Sequence, residues 1–304
     1  MEIRVRTRAK VAAVAVAVVV ACGAWQGLRG QSRQWDDSNL TYSRGQSVVP
    51  VFHGFEENAD GTFTMHFGYL NRNWQEEVDI PVGPDNNVTP APLEADQGQP
   101  THFLPRNNRW QFDVRLPKDW GDKDVVWTLT SYGRTFKAYG SLKNEFLVDE
   151  AAIWREYAGG SPRGNQAPRL EVDGQTTRTV KVGQPVPLIA FATDDGIPAR
   201  RGRPRADTPT GGGLLREAQG LRFVWVQFRG PGQVKFDPPQ PFKAWEDERE
   251  GSPWAYGWAP PPIPPGNKWE HNVTFPSAGT YVLRGLAHDG GRWTQRDVTF
   301  TVVP

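Results

Sequence analysis

Most of the chain alternates apolar and polar residues in short runs, which turn residues interrupt. In Thr62 to Leu70, Phe63, Met65, Phe67 and Tyr69 fall on one face and Thr64, His66 and Gly68 on the other. In Arg109 to Leu116, Trp110, Phe112, Val114 and Leu116 alternate with Gln111, Asp113 and Arg115. Val125, Trp127 and Leu129 repeat the pattern. A period of two belongs to a strand that is half in a core and half in water. Ala59-Asp60-Gly61, Gly83 to Asn87 and Trp120-Gly121-Asp122 supply turns between the runs, since Gly, Asn and Asp tolerate turn backbone geometry. The stretch 47–148 therefore predicts a β-sandwich or barrel. Residues 149–158 break the pattern: acidic residues open the segment and Gly159-Gly160 closes it, which predicts a single helix. A helix and linker over 149–165 then separate 47–148 from 166–304.

The second half runs through Asn165-Gln-Ala-Pro-Arg-Leu-Glu-Val, Val186 to Gly196, Phe223 to Gly232, Pro276 to Leu283, Ala287 to Gly291 and Val298 to Val302. In that order these pieces resemble the immunoglobulin-like domains of the PKD and cadherin-like type found in bacterial envelope proteins. Trp225 resembles the core tryptophan of such a domain, with Phe223 on its face. Ser277-x-Gly279-x-Tyr281 resembles a tyrosine corner, in which Tyr281 bonds back to nearby backbone. Val298, Phe300 and Val302 read as a final edge strand. The fold class expected is all-β, two β-sandwich domains with the C-terminal one Ig-like. Two stretches depart from the family as long insertions: Ile197 to Gly220, with Arg200, Arg201, Arg203 and Arg205, and Pro238 to Trp269, rich in Pro and Trp. The 47–148 half is similar only to bacterial proteins of unknown role.

The N-terminus follows neither period. Arg4, Arg6, Arg8 and Lys10 precede Val11 to Ala21, which has no polar residue, and then come Cys22, Gly23 and Ala24. As a helix that run rises only ~16 Å, about half a hydrocarbon core, so residues 1–22 read as an export signal, with 23–46 as a linker. Val19-Val20-Ala21-Cys22 resembles a lipobox, which implies lipid attachment at Cys22. The alternative is ordinary cleavage near Ala24. Cys22 is the one cysteine of the chain, so no internal disulfide forms. Without residues 1–22 the formal charge moves from +1 to −2, which offers nucleic acid no electrostatic footprint. A membrane is a partner only if Cys22 is acylated. The expected location is an exported one, as an outer-membrane lipoprotein or a periplasmic or secreted protein.

Candidate chemistry is sparse. Asp194, Asp195 and Asp289 end strands, and acidic turns in cadherin-like families sometimes bind Ca²⁺, which wants six to eight oxygens. The plainer reading is that these residues make turns, so no cofactor is expected beyond that candidate. The five histidines have no metal-ligand spacing and read as isolated. Glu56-Glu57 and Glu76-Glu77 read as solvated, and the Arg200 to Arg205 cluster as a solvated loop. No nucleophile elbow, phosphate loop or zinc-protease motif is present, so no enzyme is expected. Trp245, Trp254, Trp258 and Trp269 are the candidate ligand-binding residues, because exposed indoles stack on sugars or fill a partner's pocket; the equal alternative is that this long loop folds over the sandwich and its tryptophans cap the core. The function expected is binding, adhesion or scaffolding at the envelope, with an envelope protein or a glycan as partner. A carbohydrate-binding role for the aromatic loop is the second expectation and an enzyme's accessory domain the third.

Overall fold

The computed structural model describes residues 42–149, 164–203, 217–247 and 250–304. The export signal with Cys22, the linker up to residue 41, Arg205 and all but the first residue of the expected helix lie outside them. Residues from Tyr42 to Pro304 form one compact unit.

The first half holds β1 (Val48–Glu57), β2 (Phe63–Asn71), β3 (Val78–Asp79), β4 (Asn86–Thr89), β5 (His102–Phe103), β6 (Arg106–Leu116), β7 (Val125–Ser131) and β8 (Arg134–Gly140). One sheet has the order β1-β2-β6, another β4-β7-β8, and β3 pairs with β5. Met65, Phe67, Phe112, Val114, Leu116, Val125, Trp127 and Leu129 fill the core between the sheets. Phe112 meets Trp127 edge-on at 4.8 Å, a geometry that the ring quadrupoles favour.

The second half holds β9 (Arg169–Val172), β10 (Thr177–Lys181), β11 (Val186–Thr193), β12 (Arg222–Arg229), β13 (Lys235–Asp237), β14 (Lys268–Thr274), β15 (Gly279–His288) and β16 (Trp293–Val303). Its sheets have the orders β13-β14-β11-β9 and β10-β16-β15-β12. This is the two-sheet arrangement of an immunoglobulin-like sandwich, with the first-strand region split between the sheets. Trp225 and Phe223 pack edge-on at 5.4 Å within its core. The Tyr281 hydroxyl donates to Ser277 O at 3.2 Å and bonds Ser277 Oγ at 2.9 Å. The Tyr281 ring needs glycine opposite it: a Cβ on Gly230, at φ +152°, would stand 2.2 Å from Cδ1.

Two expectations need correction. β16 is no edge strand, because β10 pairs with it in parallel on the side away from β15. Its alternation reports which residues face the core, and that is blind to what lies beside the strand.

Trp110 does not join Phe112, Val114 and Leu116. Tyr69 pairs with Asn108 and Phe67 with Phe112, so residues 109–111 bulge opposite Gly68, and Trp110 takes φ +54°. A bulge of this kind re-aims a side chain. Trp110 clusters instead with Val148, Trp254 and Trp293. His66 and Gly68 are correspondingly buried rather than wet.

β12 is buried on both faces. Val224 and Val226 lie under Phe242, Ala244 and Trp258 of the second insertion and beside Leu104 of the first sandwich. That insertion therefore acts as a cover on the sandwich.

Candidate functional site

The outer faces of the two sandwiches meet along a polar seam. Thr101 N–H donates to Phe228 O at 3.2 Å, and the Phe228 side chain sits in the first core. Arg284 on β15 grips the Asp297 carboxylate with Nε at 2.8 Å and Nη2 at 2.9 Å, while Nη1 donates to Gln111 O at 2.6 Å. Its guanidinium lies 3.6 Å from the centre of the Phe228 ring. Arg229 holds Asp96 with two bonds of 2.7 and 3.0 Å and the Gln99 carbonyl with a third. The second insertion adds a staple: Glu246 N–H donates to Asn107 O at 3.1 Å, and the Glu246 carboxylate pairs with Arg109 at 2.8 Å.

Trp110 stands at the centre of this seam. His53 stacks on its ring at 4.9 Å and His66 meets it edge-on at 5.2 Å. Burial holds the His53 imidazole neutral, with a pKa near 3, and the charges of Arg109 and His66 push the same way. Burial also pulls on His66, but Asp113 at 2.8 Å and Glu56 at 3.2 Å outweigh it and raise its pKa. A small cleft opens beside Trp110, lined also by Asn108, Trp245, Trp254, Trp293 and Gln295. Its floor is ionic and buried. Arg222 donates to Glu217 and to Ala218 O, and its Nη2 lies 3.2 Å from His288 Nδ1. Burial lowers the Arg222 pKa to about 9, opposed by the Asp289 charge, and lowers that of His288 further below its ordinary value.

The four tryptophans, read as either an exposed binding surface or a cap on the core, are all half-buried, and the structure does not bring them to one platform. Trp269 packs on Phe223 at 5.6 Å and belongs to the edge of the C-terminal core. Trp258 meets Phe242 edge-on at 5.4 Å. Trp245 and Trp254 alone reach the cleft. The expected arginine loop is likewise not simply solvated. Arg200 and Arg203 donate to Pro260 O and Trp254 O of the other insertion, and Arg203 lies 4.0 Å over Tyr256. Carbonyls of a proline-rich chain lack enough N–H partners, and guanidinium donors meet that need.

Asp194 and Asp289 do come to one end of the C-terminal sandwich. Burial, then the neighbouring charges of Asp289 and Asp195, lift Asp194 to a pKa near 6 against the pull of the Gly196 N–H. Asp289 Oδ1 accepts from Gly291 and Arg292 N–H, and Asp195 accepts from Ile197 and Gln166 N–H. The bonds from Ile197, Gly291 and Arg292 close turns, and the bond from Gln166 ties the start of the domain to Asp195. Among the described residues no group of three or more His, Cys, Asp or Glu is arranged to hold a metal ion.

Sequence reasoning missed the pairing of histidines and acids across strands. His102 sits between Asp79 at 2.7 Å and Glu77 at 3.0 Å, and Glu77 also pairs with Lys243 of the second insertion. The expected solvation of Glu77 is thus wrong, because β5 places the His102 ring beside it and the second insertion brings Lys243. Alternation within single strands carries no such cross-strand signal.

No protein-family model matches the chain, and no curated protein matches it. Solved structures with some likeness include immunoglobulin domains 1–4 of Sidekick-1, at 8% identity and a TM-score of 0.23 over 85% of this chain and 50% of that one. The adhesin InvE of Yersinia pseudotuberculosis is 12% identical, with a TM-score of 0.22 over 84% of this chain and 59% of that one. The chain thus spans about half the length of such neighbours. At these scores they assign neither family nor activity, and the immunoglobulin-like arrangement stands on the strand order and the tyrosine corner above.

Proposed function

We propose that this is a non-catalytic binding or scaffolding protein of the cell envelope, exported by residues 1–22 and anchored to a membrane where Cys22 is acylated. One observation carries the reading: two sandwiches and an insertion are tied by side chains such as Arg284, Arg229 and Glu246 into one compact unit. A compact scaffold with loops at its surface suits holding a partner in a fixed position. The C-terminal immunoglobulin-like sandwich, an architecture shared by many cell-surface domains, agrees with that role.

Cell fractionation with mass spectrometry of the N-terminus tests the location. The expected species begins at Cys22 with acyl mass, and a later start means a secreted or periplasmic form. An intact Met1 in the cytoplasm overturns the reading. Cross-linking in intact cells tests the role, with the same envelope protein expected from independent cross-link positions. Hydrolytic turnover lost on replacing one carboxylate would overturn the non-catalytic assignment.

A further inference from the structure

Polar atoms of the cleft lining that are buried without a hydrogen-bond partner among the described residues include the Trp110 indole N–H, Asn108 Oδ1 and Glu217 Oε2. Trp110 is 7% exposed and Asn108 1%. The orientation of Asn108 is fixed, because its Nδ2 donates to the carbonyls of Leu104, Pro105 and Arg106. Leaving such groups unsatisfied costs about 1–3 kcal/mol each, so a native protein supplies them with something. Trp110 is also held at φ +54°, and residues in sparsely populated backbone regions gather at ligand sites.

The cleft states what that something is. It offers a donor in the Trp110 indole N–H and acceptors in Asn108 Oδ1 and Glu217 Oε2, so its occupant both accepts and donates. The charged side chains around it are engaged with one another, Arg109 with Glu246, Arg222 with Glu217 and Arg284 with Asp297, so the occupant is neutral. The walls are indole faces. A run of consecutive prolines supplies acceptors but no backbone donor, and an ion finds no unmatched counter-charge.

We propose that the cleft binds the edge of one neutral sugar residue, whose hydroxyl accepts from Trp110 and donates to Asn108 while its C–H face lies on an indole. The cavity measures about 70 Å³, far below the roughly 300–1,000 Å³ of sites that enclose a whole ligand. It therefore admits one ring edge and leaves the rest of a glycan outside.

The proposal rests on the reading of the chain as a binding protein. It is tested on the ¹⁵N-labelled full-length chain by following the indole N–H resonances during titration with glucose, galactose, mannose and N-acetylglucosamine. Glucuronate and triglycine serve as counter-probes. One neutral sugar is expected to shift the resonance that Trp110→Phe deletes. That variant should bind the sugar about 3- to 10-fold more weakly, the equivalent of one hydrogen bond, with an unchanged melting temperature. Trp254→Ala, on the insertion rather than in a strand, should weaken the same sugar. A shift with triglycine alone makes the cleft a peptide site, and no shift with any probe means it holds water only; either result overturns the proposal. A chain that still cross-links to its envelope partner but ignores every sugar removes this proposal alone. One that binds a sugar without an envelope partner removes the other alone.

Discussion

Trp127 and Trp110 belong to the same sandwich and both are more than nine-tenths buried, but their surroundings differ in kind. Trp127 lies among Phe67, Phe103 and Phe112, and its indole N–H donates to Asn86 Oδ1 at 3.0 Å. Every requirement of that side chain is met inside one core. Trp110 lies between two histidines and beside two further tryptophans, at a bulge, with its N–H unmatched by protein. The first arrangement is that of a side chain kept for packing. The second is that of one held in place by two sandwiches at once.

The comparison breaks most visibly at the core. Trp127→Ala should cost about 3–5 kcal/mol, as large-to-small changes at filled aromatic sites do. Urea denaturation measures it, and a loss below about 1 kcal/mol would mean that this core is not closely packed. At the seam, Arg284→Met removes the grip on Asp297 and the bond to Gln111 O while keeping bulk over Phe228. Its expected cost is about 2 kcal/mol, the range of a charged hydrogen bond in a partly buried site. Amide exchange should quicken at residues 109–111 before it does in the core of either sandwich; uniform quickening would mean that the seam has no separate stability.

Changing each tryptophan to phenylalanine sharpens the contrast. Trp127→Phe strands Asn86 Oδ1 and opens a small void, for about 1–3 kcal/mol. Trp110→Phe removes a donor that no protein group uses and should cost less than about 1 kcal/mol, within the range of tolerated hydrophobic swaps. Equal losses in thermal melts would mean that the two side chains do the same work.

The same contrast explains what could be read in the chain. Phe67, Phe112, Trp127, Trp225 and Phe300 lie in the cores, as alternation predicts, because which face of a strand is apolar is a local property. The tyrosine corner is equally local, with Ser277 and Tyr281 four residues apart. The cleft depends on what is not local. Asn108, Trp254 and Trp293 are far apart in sequence, and Trp110 faces them only because residues 109–111 bulge. That bulge follows from the tight approach of Gly68, where a Cβ would stand 2.5 Å from Asn108 O. A glycine in an alternating run is the one sequence signal that could have flagged the break, since it often marks a bulge or close backbone approach. The loop tryptophans stand open between exposure and capping for a related reason: what holds the loop down lies elsewhere in the chain, where Arg200, Arg203 and Asn107 bind its backbone.

The smallest expected effects are in pH dependence, where both sandwiches carry groups whose pKa is raised. His66 contributes stability that is fully present below its ordinary value of 6.5 and is lost as pH rises through its raised folded value, because Asp113 and Glu56 hold the imidazolium. His66→Gln should flatten that decline. Asp194 works in an earlier window. Its carboxyl titrates near 3.8 in the unfolded chain and near 6 in the fold, so the fold binds the proton more tightly, and ionisation weakens it as pH climbs between those values. Asp194→Asn should therefore raise the melting temperature above pH 6 and leave it unchanged below pH 3.8. Asp194 is partly exposed, and solvent screening keeps the gain small. A variant that is instead less stable above pH 6 would mean that the carboxylate is held by a favourable partner, and that the end of the C-terminal sandwich is no place of accumulated like charge.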